Sequence, residues 1–329
     1  MKKLSQKAGI ALFCAVACIM AAIILIHHNP LADAQEEIVK KSISCGIIVL
    51  ACIAFGVLYD KITVLPAELF QSRHLIWKLA KNDFKKRYAG SWMGMVWAFI
   101  QPVVTVVMYW LVFDVVMSGA GTVMRGGGDV PFVLFLAAGL VPWFYFNEAW
   151  LNGTMALVEY NYLVKKVVFK ISILPIIKVI GATFIHVFFA VVLIIISMLY
   201  GYMPTPYLIQ IIYYSFCTFV LVLALSYTTC ALQVFMKDIA QIINIVLQIG
   251  MWATPIMWDF GAISPTFAKI MKLNPLVYIV NGYRSAIYKH TWFFEDFYST
   301  MYFWMFTVVL FGIGALVFKR LKVHFADVM

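Results

Sequence analysis

Apolar residues run along this chain in long stretches without a charge, at about 8–27, 43–59, 92–113, 131–147, 179–236, 239–258 and 297–318. About 20 apolar residues suffice to cross the roughly 30 Å hydrocarbon core of a bilayer. The run from 179 to 236 must therefore fold back, and Gly201-Tyr202-Met203-Pro204-Thr205-Pro206 supplies the turn. Extending each stretch over isolated polar residues predicts eight spans: 8–27, 43–59, 92–116, 131–151, 172–200, 207–234, 239–258 and 300–318. Backbone groups in lipid must pair within their own segment, so these spans are helices and the fold class is all-α.

Two segments break the pattern. In Arg73 to Tyr88, Ile76, Leu79, Ala80 and Phe84 recur at helical spacing among Lys78, Lys81, Asn82, Lys85 and Lys86. An apolar stripe on a basic helix predicts a helix lying in the membrane interface, with a simple charged flank as the alternative. The segment 259–299 carries Pro265, Asn274-Pro275 and Gly282, yet keeps apolar pieces too short to span. It predicts paired half-helices dipping in from the outer face, where irregular backbone is tolerated if it is buried or lines a cavity. An ordinary external loop is the alternative.

Composition sharpens the class. Of 329 residues, 64% are hydrophobic and 12% charged, against roughly 45–50% and about 25% in soluble domains. Mean hydropathy is +0.92. A soluble enzyme, a disordered chain and a nucleic-acid binder are all excluded, despite the net charge of +10. The length leaves no room for a large soluble domain beside the spans. Cys14, Cys18, Cys45, Cys52, Cys217 and Cys230 sit in apolar stretches without CxxC or His spacing. They are expected to be buried small hydrophobes, with no disulfide and no metal site. Met1 to Ile26 starts basic, but its apolar run is too long for a signal peptide and reads as a span.

Charge also sets orientation. With the N-terminus in the cytoplasm, seventeen Lys and Arg residues fall on the cytoplasmic side and seven on the other, Arg284 among them. Lys178 lies within a span. Both termini are then expected in the cytoplasm.

The candidate chemistry is sparse. No G-x-x-x-x-G-K-[ST] loop is present, so the chain is not expected to hydrolyse ATP alone. Asp114, Glu148 and His186 are ionisable groups within spans, and nothing in the sequence brings them together. Hydrogen bonding between helices, or a polar patch in a conduit, accounts for them better than acid–base catalysis. Trp92, Phe99, Trp110 and Phe113 share one helical face, and the next span carries Trp143 and Phe146. Such rings could line a conduit by stacking on the C–H faces of sugars, or could anchor the spans at the membrane interfaces. A membrane-embedded glycosyl- or acyltransferase would need a catalytic cluster at one face. A secondary transporter would show an internal repeat and mid-span carboxylates. The sequence shows neither.

The ordered motifs resemble a family. Arg87-Tyr88-Ala89-Gly90-Ser91 with Gly94, Trp97 and Pro102 is similar to the start of type-2 ATP-binding-cassette (ABC) exporter permeases, in the subgroup that exports O-antigen, capsule and teichoic acid. Ala138-Gly139-Leu140-Val141-Pro142-Trp143-Phe144 matches the family's AGLxPWxF, and Asn161 to Phe169 with Ile173-Leu174-Pro175 matches its NxxLVKKxxFPxxxLP. Thr254-Pro255-Ile256, Asn274-Pro275, Tyr283-Arg284 and Phe325-Ala326-Asp327 follow in family order. The resemblance covers roughly 70–329. It departs at Lys170, where the family has proline, and over 1–65, a two-span extension before the transmembrane domain of 66–329.

The resemblance implies an ATP-driven exporter of a lipid-linked polysaccharide in the inner membrane. Two copies of the permease would enclose a conduit, and two copies of a separate ATPase subunit would bind ATP and magnesium; this chain itself would carry no cofactor. Leu157, Asn161, Leu163, Lys165, Lys166 and Phe169 would form the main coupling contact with the ATPase, and Lys237-Asp238 the second. The helix carrying Lys81, Lys85, Lys86, Arg87 and Tyr88 would act as a gate whose basic groups suit a lipid diphosphate or other anionic lipid. Trp92, Phe99, Trp110, Phe113, Trp143 and Phe146 would line the conduit. Thr254, Pro255, Asn274, Pro275, Tyr283 and Arg284 would close its outer end.

Overall fold

The computed structural model describes residues 6–26, 63–87, 92–116, 125–126, 130–164 and 170–328, with scattered positions between 38 and 59. The chain divides into two units, Met1–Phe70 and Gln71–Met329.

In the first unit, α1 (Gln6–Ile26) is a 21-residue apolar helix. Phe13 on it stacks on Phe55 with ring centroids 4.0 Å apart, and Tyr59 meets Phe55 edge-on. The expected span 43–59 lies partly outside the described residues; its described positions are helical. Helix α2 (Val64–Gln71) follows.

The second unit opens with α3 (Arg73–Arg87) and α4 (Trp97–Trp110), which runs on as a π-helical turn, Leu111–Val116. A two-residue antiparallel ladder, β1 (Arg125–Gly126) with β2 (Val130–Pro131), leads into α5 (Phe132–Glu159). Short α6 (Asn161–Val164) precedes α7 (Leu174–Leu199), and α8 (Gln210–Phe235) follows the expected turn at Gly201. Then come α9 (Ile239–Ala253), α10 (Pro265–Met271), α11 (Pro275–Arg284), α12 (Phe297–Leu321) and α13 (Phe325–Val328).

Among the described residues, five helical segments are long and apolar enough to cross a membrane: Ala8–Ile26, Phe132–Glu159, Ile171–Leu199, Pro206–Phe235 and Phe297–His324. The expected spans at 92–116 and 239–258 are shorter as α-helix. Helix α9 stops at Ala253 because Pro255 lacks an N–H and pushes Thr254 out of the helical region, to φ −92° and ψ 137°. Helix α5 runs two turns past the expected residue 151, since Thr154, Ala156 and Leu157 bury that end. The segment 259–299 holds the short helices α10 and α11, and the chain turns at His290 with φ 54°.

Helix α5 is the centre of this unit. Every residue from Phe132 to Trp143 is buried, and α5 packs on α7, α8, α9 and α11. Small residues let membrane helices approach closely. Gly153 does so here, because a Cβ would lie 2.2 Å from Ser226 Oγ on α8. One turn level with it, Thr154 and Thr229 share a hydrogen bond of 2.7 Å. That pairing brings α5 and α8 out at the same end of the bundle. Of the cysteines, Cys217 and Cys230 are buried as expected. Cys14, Cys45 and Cys52 are only half-buried and Cys18 is exposed, a correction for the first unit.

Candidate functional site

The end of the bundle where α5 and α8 emerge carries a charged junction. The inward face of α3 is Ile76, Ala80 and Asp83, at spacings of four and three. The expected stripe is thus corrected at its end: Leu79 and Phe84 are half-buried, and a carboxylate takes the inner position. Phe84 and Trp77 both meet Phe184 of α7 edge-on, at 5.4 and 5.6 Å. These ring contacts press α3 against α7 and deliver Asp83 to Lys178.

Lys178 donates to Asp83 Oδ1 at 2.7 Å and lies 2.6 Å from Glu159 Oε2. The Tyr160 hydroxyl donates to the same Asp83 oxygen, and the ammonium sits 4.9 Å above the Tyr160 ring. Burial, and then the bond to Asp83, raise the Tyr160 phenol far above its ordinary value, so it stays a donor. Arg87 donates to Glu148 Oε1 at 2.7 Å and lies 3.8 Å from Asp83 Oδ2. Asn152 supports Glu148 through a long bond of 3.4 Å. Lys178 and Asp83 are only 5% and 8% exposed. In so dry a site neither charge is tolerable without the other.

This junction binds α3 to the exit of α5. Glu159 ends α5, Tyr160 makes the turn, and α6 begins at Asn161. Of the expected coupling residues, Leu157 is wholly buried and packs the core instead of offering a surface. Asn161 and Leu163 are half-exposed and Tyr162 is exposed. Lys165, Lys166 and Phe169, with Tyr88 of the expected gate, lie outside the described residues. The exposed Lys237-Asp238 turn is held by the buried Gln233, which donates to the Lys237 carbonyl and accepts from the Ala240 N–H. On α3, Lys81, Lys85 and Lys86 are exposed, whereas Arg87 is committed to Glu148.

The aromatic residues do not form one wall within a single chain. Trp143 and Phe146 are buried, with ring centroids 5.9 Å apart. Together with Trp150 they line an apolar cavity of about 380 Å³ between α5, α8, α9, α11 and α12. Phe99 packs instead on Phe188 of α7 at 4.4 Å. Trp92 is 98% exposed and Trp110 is exposed; no ring contact among the described residues joins either to Trp143 or Phe146. The side chain of Phe113 falls outside the described residues.

At the opposite end the expected gate residues are locked into the bundle. Asn274 caps α11 by accepting from the Leu276 N–H, and its amide donates to Thr254 Oγ1 at 2.9 Å. Arg284, expected at the outer surface, is 1% exposed, a correction with a clear cause. Its guanidinium stacks 3.5 Å over the Phe135 ring and donates to the Ile256 carbonyl, which the break before Pro255 leaves free of the helix. Tyr283 is hydrogen-bonded to Ser215 at 2.7 Å and to His186 at 2.9 Å, while Tyr145 stacks on His186. His186 thus bonds to α8 and α11 and Glu148 to α3, and among the described residues no bond joins the two.

Five helical segments long and apolar enough to cross a bilayer, with the basic helix α3 tied by ion pairs to the exit of the central one, mark the described residues as a polytopic helical membrane protein. A family model for ABC-2 type transporters matches residues 74–288, and this chain belongs to that family. It is a multi-pass transport component of a kind that works with an ABC ATPase. The O-antigen export system permease protein RfbA of Myxococcus xanthus is 28% identical over 265 residues, covering 80% of this chain and 98% of the relative. A protein of the same name from Klebsiella pneumoniae is 25% identical over 257 residues, covering 76% and 93%.

Proposed function

We propose that this chain is the permease subunit of an ATP-driven exporter that moves a lipid-linked polysaccharide of the O-antigen type across the inner membrane. The observation that carries the reading is the junction of Asp83, Arg87, Glu148, Glu159, Tyr160 and Lys178. It ties the basic helix α3 to the turn that leaves α5. The relatives' names supply the cargo class. In this reading the junction end faces the cytoplasm, as do both termini. Two copies of the chain pair around a conduit, and two ATPase subunits dock on the turns at Asn161 and Lys237-Asp238. ATP and magnesium belong to those partners. Their closure pushes on the turn after α5, and the ion pairs pass the displacement to α3. The exposed Lys81, Lys85 and Lys86 offer charge to an anionic lipid diphosphate in the interface.

The test is purification of the tagged permease from cells that make the glycan. The expected result is co-purification of an ABC ATPase in equal amount, with ATP hydrolysis stimulated by the lipid-linked glycan. A permease that purifies without any ATPase, or an ATPase indifferent to the glycan, contradicts the reading.

A further inference from the structure

Helix α9 has three different faces. Ile243 and Leu247 are buried against the bundle, and Ile242, Ile245, Val246 and Ile249 form an exposed apolar face. Between them Gln241, Asn244 and Gln248 recur at spacings of three and four, a polar stripe through the middle of an apolar helix. Asn244 and Gln248 meet Asn147 of α5 around an open recess of about 190 Å³, whose remaining lining is Trp143, Leu247 and Met251. None of these three amides has a hydrogen-bond partner among the described residues, and no lining residue is charged. Amides at membrane depth must find partners. This face therefore meets something that can hydrogen-bond.

We propose that the recess is a subsite for a neutral, hydroxyl-bearing sugar unit of a glycan passing along α9; this rests on the export reading above. The chemistry selects that occupant. An amide presents two donors and an acceptor, matching hydroxyl groups that also do both. An anionic headgroup calls for cations, which the lining lacks, and a hydrocarbon chain would leave all three amides unsatisfied. Trp143, almost wholly buried, forms part of the recess wall and stiffens it. That indole is held still, because it also walls the apolar cavity, packs beside Phe146 and lies against Gly250. The recess is on the scale of one sugar ring. With no charge to grip the cargo, each unit would be held weakly enough to move on.

The full-length chain is tested in cells that contain its ATPase and make the glycan. A diazirine-bearing methionine analogue placed at position 251 is expected to yield a cross-linked permease carrying a glycan ladder, lost in a strain blocked in glycan synthesis. A cross-link only to a second copy of the chain, or an adduct that persists without glycan synthesis, overturns the subsite. Asn244→Leu with Gln248→Leu is expected to slow export at least ten-fold at unchanged membrane level, while Ile245→Leu on the apolar face exports normally. Unchanged export in the double variant overturns the proposal; if that variant fails to accumulate, the cross-link decides. Failure of the export reading looks different, since surface glycan would then survive deletion of the permease.

Discussion

Lys178→Met is expected to destabilise the protein by about 3–5 kcal/mol, the cost of leaving a buried ion without its partner. Lys178 bridges Asp83 and Glu159, which belong to different helices, and both oxygens lie within 2.7 Å of its ammonium. Removing it strands the Asp83 carboxylate beneath α3, where only Arg87 at 3.8 Å and the Tyr160 hydroxyl remain. Thermal unfolding of the detergent-solubilised protein measures the loss. Asp83→Asn together with Lys178→Met should cost less than the two single changes summed, because the double variant has no stranded charge. Strict additivity would show that the pair does not act as a unit. Export should fall with the single variant even at temperatures where it stays folded, since α3 is no longer tied to the turn after α5.

The second large effect is expected at Gly282. A Cβ there would lie 2.1 Å from two carbons of the Tyr214 ring, closer than any relaxation of a buried ring can absorb without shifting α11. Overpacking of a dense core typically costs about 1–3 kcal/mol, occasionally more. Gly282→Val is placed at the upper end, because displacing α11 also breaks the Tyr283 bonds to Ser215 and His186. Adding Tyr214→Leu should restore part of the loss by opening the space. A Gly282→Val protein with wild-type thermal stability would show that α11 does not seat against Tyr214.

How much of this was legible in the sequence depends on the range of the interaction. The long spans were, because burial in lipid demands a length and an apolarity that a window of residues displays directly. The early stop of α9 was not, although Pro255 was visible, because hydrophobicity continues through Met257 and Trp258. The last two turns of α5 were hidden by polar Asn152 and Glu159, whose partners lie on other helices. The junction lies beyond local pattern altogether: Asp83 and Lys178 are 95 residues apart, and Arg87 and Glu148 are 61 apart. Arg87 therefore read as a free headgroup ligand, although its guanidinium is spent on Glu148. Arg284 read as an outer charge for the same reason, since Phe135 and the Ile256 carbonyl that hold it are distant in sequence. The amides of α9 are legible in the sequence itself. Gln241, Asn244 and Gln248 stand at helical spacing inside an apolar run, a pattern that lipid penalises.

The most direct measurement uses inverted membrane vesicles holding the permease and its ATPase, with the lipid-linked glycan supplied from the outer, cytoplasm-derived face. Glycan should accumulate in the lumen only when both subunits and ATP are present, and accumulation should be lost with Lys178→Met while the complex remains assembled. Accumulation without ATP or without the permease, or full transport by Lys178→Met, would contradict the account.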